Sequence, residues 1–172
     1  MARNGYIVAC CDGRGTGFRG EEFKKVTYGD LGRCEVEDQL SFAKHLSEQT
    51  FVDSSRIGIY GWSFGGFMAL NCALKGDGIF KISIAVAPVT SWRYYDTIYT
   101  EIYNGLPQEN PTGYDDNSPI THAARLGDKT RLLIIHGTAD DNVHFQNTME
   151  MCRALNRAGK QYDMMVYPDQ NH

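Results

Sequence analysis

A serine flanked by glycines is the strongest chemical signal in the sequence. Residues 61–66, Gly-Trp-Ser-Phe-Gly-Gly, contain Gly-x-Ser-x-Gly between an apolar run and a helical pattern. In that setting a sharp strand-to-helix turn lifts the hydroxyl of Ser63 above the sheet. The turn also aims the N–H of Phe64 at the place where an oxyanion would form. We predict Ser63 as a nucleophile, and we expect the tight turn to require glycine at both Gly61 and Gly65.

Two later polar segments could activate this serine. In such an architecture a carboxylate follows a later strand and a histidine follows the last one. Asp140 and Asp141 lie in a polar loop after the fourth apolar run, and the pattern does not choose between them. His172 stands after the last run, so it is the predicted general base. We interpret the other histidines as structural or exposed, and these are His45, His122, His136 and His144.

The composition excludes several other functions. A net charge of −4 without a basic stripe argues against nucleic acid as a partner. No His, Cys, Asp or Glu cluster has the spacing of metal ligands, so we expect no metal and no other cofactor. No apolar run approaches the ~20 residues that span a bilayer. The 5 cysteines lack Cys-x-x-Cys spacing and are predicted to be buried free thiols.

The elements that must position these residues alternate between strand and helix, which is typical of βαβ units and a parallel sheet. Strands are predicted over residues 6–11, 57–60, 82–87, 131–136 and 162–167. Helices are predicted over residues 34–46, 64–74 and 145–158. The stretch from Thr90 to Asn117 is aromatic and irregular, and long insertions of this kind often form lids or pocket walls. We therefore predict one α/β domain over residues 1–172, of the α/β-hydrolase fold, with a mostly parallel sheet and helices on both faces.

Several longer motifs are similar to those of one known family. They are residues 61–66, 87–89 (Ala-Pro-Val), 92–96 (Trp-Arg-Tyr-Tyr-Asp), 99–101 (Tyr-Thr-Glu), 136–146, 12–17 and 35–39. Together they resemble the prolyl oligopeptidase family of serine peptidases, and its dipeptidyl peptidase IV branch most closely. The similarity runs over essentially the whole chain.

This resemblance implies an activity and a set of site residues. It implies release of dipeptides from peptide N-termini, with proline or alanine second, through an acyl-enzyme. Carried over by motif, the triad is Ser63, Asp140 and His172, which selects Asp140 over Asp141. Asn142 is implied to bond a substrate carbonyl, and the N–H of Phe64 to bind the oxyanion. The side chains implied to line a pocket for the proline ring are Phe64, Val89, Trp92, Tyr95, Tyr99 and Val143.

The resemblance also implies that the chain is a fragment. In the family an amino-terminal β-propeller supplies acidic residues for the substrate amine, and a tyrosine upstream of Tyr6 supplies a second oxyanion donor. An early strand would lie between residues 6–11 and 57–60, and a final helix would follow His172. Because loss of one oxyanion donor costs about 10²–10³ in rate, we expect the isolated chain to be nearly inactive. Three further expectations follow from the resemblance alone. They are peptide substrates, a possible homodimer of the longer protein, and an extracytoplasmic location (periplasmic or membrane-associated).

Two other functions stay open on the residues themselves. Fold and triad do not choose a substrate, so an esterase or an acylaminoacyl-peptidase would carry the same motifs. The aromatic segment 92–99 is the feature that separates these enzymes from a dipeptidyl peptidase. A non-catalytic binding module that keeps the scaffold is the third possibility, and the presence of Ser63, Asp140 and His172 argues against it.

Overall fold

A four-stranded parallel sheet carries the candidate site, and the computed structural model describes residues 1–172. Its strands are β1 (Gly58–Trp62), β2 (Ile82–Val86), β3 (Arg131–Gly137) and β4 (Asp163–Tyr167). They lie in the order β1-β2-β3-β4, and every neighbouring pair is parallel. The α/β-hydrolase fold class is confirmed. Because parallel strands end at the same edge of a sheet, the polar segments that follow β1, β3 and β4 meet at that edge.

The helices lie between the strands in sequence. They are α1 (Glu21–Lys25), α2 (Cys34–Ser47), α3 (Phe64–Lys75), α4 (Thr97–Asn104), α5 (Pro111–Asp115) and α6 (Gln146–Arg157). Short 3-10 helices form at Ala2–Asn4, Ser54–Arg56, Trp92–Tyr94 and Pro119–Arg125. The predicted helices are confirmed as α2, α3 and α6. None of the helices combines the length and the apolar composition that a membrane crossing requires.

Helix α3 is the most deeply buried helix, and it anchors the turn that contains Ser63. Every residue from Gly66 to Leu74 is buried. A helix that is apolar all round must be covered on all sides, and α3 packs between the sheet and its neighbouring helices. Phe67 and Cys72 meet Val36 of α2 in one apolar cluster. Ala69, Leu70 and Leu74 join β3 and α6 in a second cluster.

The two faces of the sheet differ in exposure. Along β3, Leu132, Ile134 and His136 are buried, and the residues between them are exposed or half-buried. On the face opposite this buried set, Tyr60 of β1 and Tyr167 of β4 are 52% and 50% exposed. The helices of this chain therefore cover one face of the sheet and leave apolar side chains on the other, so the predicted helices on both faces are not found within residues 1–172.

Residues 6–11, predicted as a buried strand, form no strand. They pair with none of the four strands, and the side chains of Tyr6, Ile7 and Val8 are 67%, 63% and 56% exposed. A strand needs a neighbouring strand to satisfy its backbone groups, and this segment is paired with none. The prediction of buried thiols is wrong for Cys10 for the same reason. Cys10 is exposed and Cys11 half-buried, whereas the other cysteines are buried, and all are free.

Arg14 holds the next loop, residues 12–17, against α2. Its backbone N–H donates to Oδ2 of Asp38 at 2.7 Å, and its guanidinium donates to Oδ1 of the same carboxylate at 2.7 Å. The guanidinium also reaches Oε2 of Glu37 at 3.0 Å. Such forked pairing between arginine and a carboxylate is geometrically specific. Side-chain contacts to α2, and not strand pairing, therefore position this loop.

Replacing Arg14 with leucine should release the loop from α2. We expect faster amide hydrogen exchange over residues 12–17 in Arg14→Leu and unchanged exchange in α3, because only the loop loses its anchor. Exchange followed by mass spectrometry measures both regions in one experiment. Arg19→Leu is the matched control, since Arg19 lies over the ring of Phe23 and pairs with no carboxylate. Equal exchange in the two variants would contradict the assignment.

Candidate active site

Ser63 occupies a strained turn between β1 and α3. Its φ of 59° and ψ of −118° lie in a region that non-glycine residues rarely adopt. Such a conformation costs about 1–3 kcal/mol and persists where the surroundings enforce it. The N–H of Ser63 donates to the carbonyl of Val86 at 2.9 Å, and its carbonyl accepts from the N–H of Phe67 at 3.0 Å. Bonds to β2 and to α3 thus hold the backbone of the predicted nucleophile on both sides.

The glycines around Ser63 are not equivalent. A Cβ added at Gly61 would collide with the backbone of Gly65, and one added at Gly66 would lie 2.7 Å from the carbonyl oxygen of Val86. A Cβ at Gly65 would meet nothing within 4 Å. The prediction that the turn requires glycine at Gly65 is therefore wrong, because that position faces open space. Gly66 is the second close-packed position, where α3 approaches the end of β2.

Phe64 presents an amide at the start of α3. It is the first residue of the helix, so its N–H has no acceptor within the helix. The helix dipole adds partial positive charge at this end. The side chain packs on Phe67 and Trp92, with ring centroids 5.5 and 6.0 Å away. The amide is thus available for an anion while the ring belongs to the apolar surface beside it.

Asp140 lies beyond the carboxyl end of β3 with its side chain fully buried. Its Oδ2 accepts from Nδ1 of His172 at 2.7 Å. Its Oδ1 accepts from the backbone N–H groups of Asn142 and Val143 at 3.0 and 2.9 Å. Burial raises the pKa of Asp140, but the hydrogen bonds from His172 and the two amides outweigh it, so the pKa of this carboxyl lies below its usual value. The geometry favours a buried, ionised carboxylate that orients an imidazole.

His172 lies beyond β4, next to Trp62 at the end of β1. Because its Nδ1 donates to Asp140, Nε2 is the nitrogen left to accept a proton. The imidazole is edge-on to the ring of Trp62, the residue before Ser63, with centroids 6.3 Å apart. Its side chain is 23% exposed. The predicted carboxylate and base are therefore in contact, and the base adjoins the serine turn.

His136 was not predicted to take part in the site, yet it contacts the same carboxylate. It is buried on β3, and its Nε2 lies 3.0 Å from Oδ2 of Asp140 and 2.8 Å from the carbonyl oxygen of Val143. Its Nδ1 lies 2.7 Å from Oγ1 of Thr148. The period-2 pattern of β3 could have indicated this, since His136 shares a face with Leu132 and Ile134. A buried imidazole requires polar partners, and the polar loop after β3 supplies them.

The segment that follows β2 is fixed by buried polar contacts. The carboxamide of the fully buried Asn147 in α6 accepts the N–H of Thr90 at 3.0 Å and donates to the carbonyl of Tyr94 at 3.3 Å. The Thr90 hydroxyl donates to the carbonyl of Asn147 at 2.7 Å. Asp96 caps α4 by accepting the N–H of Tyr99 at 2.7 Å. The stretch predicted as irregular is therefore ordered, and it contains α4 and α5.

The six side chains that the motifs suggested for a pocket lie in one apolar cluster. The cluster contains Val89, Trp92 and Val143 as buried members, with Phe64, Tyr95 and Tyr99 packed against them. Trp92 is stacked on Tyr99 with centroids 5.9 Å apart, and Tyr95 meets Tyr99 edge-on at 5.2 Å. We refer to the side chains of Phe64, Trp92, Tyr95 and Tyr99 as the aromatic wall. Burial raises the pKa of Tyr99 to about 12, so its ring stays uncharged. The surface suits a small, flat apolar group.

Asn142 connects the Asp140 loop to this aromatic wall. Its Oδ1 accepts from the hydroxyl of Tyr95 at 2.8 Å. Because the oxygen is occupied, the side-chain N–H₂ of the exposed Asn142 is left as a donor. No group of three or more His, Cys, Asp or Glu side chains is placed to hold a metal ion. Of the other histidines, His45 and His144 are exposed and His122 is half-buried against the carbonyl of Asp116.

This arrangement is that of the α/β hydrolases. It combines a parallel sheet, a strained serine turn after one strand, and a paired aspartate and histidine after two later strands. The model of the prolyl oligopeptidase family matches residues 1–172, and the chain belongs to that family.

Three proteins that are similar to this chain share about half of its residues. A crystal structure of dipeptidyl peptidase 4 from Porphyromonas gingivalis has a TM-score of 0.96 and 50% identity, over 99% of this chain and 24% of that one. The chain is also 52% identical over 174 residues to a Pyrenophora teres protein named "probable dipeptidyl-aminopeptidase B". A Trichophyton verrucosum protein of the same name is 50% identical over 170 residues. These two alignments include 99% and 98% of this chain. The chain spans 19% of the length of each of these two relatives.

Gly61→Ala should destabilise the serine turn, and Gly65→Ala should not. The new methyl group at Gly61 collides with backbone that cannot move aside, and forcing atoms into a packed site costs about 1–3 kcal/mol. Alanine at the open helical position Gly65 should be neutral or stabilise by about 0.5–1 kcal/mol. Thermal unfolding midpoints of the two variants measure the difference. A midpoint lowered equally in both would refute the distinction between the two glycines.

Proposed function

We propose that this chain is the catalytic part of a serine peptidase that releases dipeptides from peptide N-termini, with proline or alanine in the second position. The observation that carries the proposal is the 2.7 Å contact between Nδ1 of His172 and Oδ2 of the buried Asp140. It leaves Nε2 of His172 as a base beside the serine turn. Membership of the prolyl oligopeptidase family and the names of the relatives support the same activity.

In the proposed reaction Ser63 is the nucleophile. Its hydroxyl oxygen attacks the carbonyl carbon of the scissile bond while Nε2 of His172 takes the proton. Asp140 keeps the imidazole in the correct tautomer and stabilises the imidazolium that forms. The N–H of Phe64 donates to the developing oxyanion. His172 then returns the proton to the leaving amine, and a water molecule activated by the same imidazole hydrolyses the acyl-enzyme.

The aromatic wall accounts for the proposed preference for proline. The half-buried side chains of Phe64, Tyr95 and Tyr99 pack on the buried Trp92 and present an uncharged surface next to the serine turn. A pyrrolidine ring can lie flat against aromatic faces, and the methyl group of alanine can occupy the same space. The free N–H₂ of Asn142 is placed to donate to a carbonyl of the bound peptide.

We also infer that the chain acts within a longer polypeptide. The unpaired residues 6–11 and the uncovered sheet face with Tyr60 and Tyr167 expose apolar surface of a kind that other segments usually cover. The chain spans about one fifth of its curated relatives. Under this proposal the binding site for the substrate's amino group, a β-propeller and any dimer contact belong to the remainder, and residues 1–172 alone turn over little substrate.

The proposal is tested in the longer protein with Gly-Pro-anilide as substrate. We expect turnover in the wild type and none in Ser63→Ala, which lacks the nucleophile. A fluorophosphonate should label the wild type at Ser63. Labelling without turnover of the anilide, but with turnover of a simple acyl ester, would replace the dipeptidyl activity with an esterase activity. A folded protein that shows neither labelling nor turnover would overturn the enzymatic proposal and favour a binding module.

Tyr95→Phe should weaken peptide binding through Asn142. Loss of the hydroxyl removes the hydrogen bond that holds Oδ1 of Asn142 and lets the exposed carboxamide rotate. We expect KM for Gly-Pro-anilide to rise by about 3- to 10-fold with little change in kcat, since one neutral hydrogen bond contributes about 0.5–1.5 kcal/mol. Tyr94→Phe is the matched control, because the hydroxyl of the neighbouring Tyr94 makes no hydrogen bond. A change in KM shared by both variants would count against the role of Asn142.

A further inference from the structure

Two imidazoles converge on one oxygen of the Asp140 carboxylate. Oδ2 of Asp140 lies 2.7 Å from Nδ1 of His172 and 3.0 Å from Nε2 of His136. The His136 side chain is fully buried, whereas that of His172 keeps contact with solvent. His172 has a place in the proposed reaction. His136 has none so far, although it touches the same oxygen.

The neighbours of His136 determine which of its nitrogens carries the proton. Nε2 lies 2.8 Å from the carbonyl oxygen of Val143, and a carbonyl can only accept. Nε2 must therefore be protonated, and its hydrogen is shared between Val143 and Asp140. Nδ1 then accepts from the hydroxyl of Thr148 at 2.7 Å. Burial lowers the pKa of His136, so the imidazole is a neutral donor. All its polar atoms are satisfied in this single state.

We propose that His136 is a positioning residue for catalysis that acts through Asp140. The inference rests on the proposed triad. The hydrogen bond from Nε2 fixes the rotation of the carboxylate about its χ2 angle, so that Oδ2 points at Nδ1 of His172. It also draws negative charge away from Oδ2, and this limits how strongly Asp140 stabilises the protonated form of His172. The base is thereby kept unprotonated at lower pH than it would be beside a carboxylate without this donor.

The surroundings of the pair contain few other charges. Thr148 from α6 and the carbonyl of Val143 are neutral, and the ring of Phe145 lies edge-on to His136 with centroids 5.5 Å apart. On the side of His172 the neighbour is the ring of Trp62. Tyr95, whose hydroxyl bonds Asn142, is the titratable group that faces Asp140 from the aromatic wall. Asp141 and His144 of the same loop are exposed. Protonation near Oδ2 is therefore governed by His136, Asp140 and His172.

A purely structural role for His136 is the competing explanation. A buried histidine could simply tie the Val143 carbonyl to Thr148 and so stiffen the loop after β3. In that case its removal would loosen Asp140 and weaken the stabilisation of protonated His172. The acidic limb of the pH–rate profile would then move to lower pH or stay in place. The positioning role predicts the opposite shift, because Oδ2 without its second donor carries more negative charge and holds the proton on His172 more strongly.

The experiment compares three replacements of His136 in the longer protein, with the pH–rate profile of kcat for Gly-Pro-anilide as the readout. A glutamine amide can reach the position of Nε2, whereas an asparagine amide reaches only as far as Nδ1. We expect His136→Leu and His136→Asn to lower kcat about 10- to 100-fold, the effect of one hydrogen bond to a charged group, with KM little changed. Their acidic limbs should move to higher pH. His136→Gln should restore most of kcat and return the limb toward its wild-type position.

A second variant keeps the proposal testable if the leucine or asparagine protein does not fold. Thr148→Val preserves side-chain volume and removes the donor to Nδ1, which weakens the polarisation of the Nε2–H bond. It should shift the acidic limb in the same direction by a smaller amount. An unchanged limb in Thr148→Val, a limb moved to lower pH in His136→Leu, or no recovery in a folded His136→Gln would each overturn the proposal. Wild-type turnover that Ser63→Ala abolishes keeps these outcomes separate from a failure of the proposed function.

Discussion

The buried carboxylate of Asp140 is the constraint on which the arrangement of the site depends. An ionised carboxylate without solvent is unfavourable unless each oxygen is hydrogen-bonded. Here Oδ1 accepts two backbone amides and Oδ2 accepts two imidazoles. These four donors come from three places in the chain: the loop after β3, β3 itself and the segment after β4. The carboxylate can therefore be satisfied only when those segments reach their final positions together, so folding of this edge and assembly of the site are coupled.

Strain at Ser63 is the second constraint, and burial of α3 balances it. The unfavourable backbone conformation is retained because β2 and α3 hold it on either side and because Gly61 and Gly66 let the chains approach closely. The apolar residues of α3 fix the helix between the sheet and α2. The buried helix α3 thus fixes the backbone that carries the serine hydroxyl.

The aromatic wall depends on polar contacts that lie outside it. Thr90 and Tyr94 are joined to α6 through Asn147, and Tyr95 is joined to the Asp140 loop through Asn142. The wall is thus connected to the same loop that carries the carboxylate. Displacement of that loop would therefore disturb both the predicted base and the predicted pocket.

Much of this site could be predicted from the sequence because its main signals are local. A glycine-flanked serine between an apolar run and a helical pattern defines its turn within six residues, and the order of strands and helices defines the fold class. Ser63, Asp140 and His172 each follow a predicted strand, so the parallel topology alone brings their loops to one edge of the sheet.

The remaining features depend on contacts between distant segments, and only the tertiary structure decided them. Residues 6–11 have the composition of a strand, but strand formation requires a partner that the local sequence does not encode. The period-2 pattern of β3 indicates that His136 is buried, but its contact with Asp140 depends on where the loop after β3 places that carboxylate. The open space at Gly65 depends likewise on what lies opposite it. Local pattern determines which elements form, whereas neighbours that are remote in sequence determine what each side chain contacts.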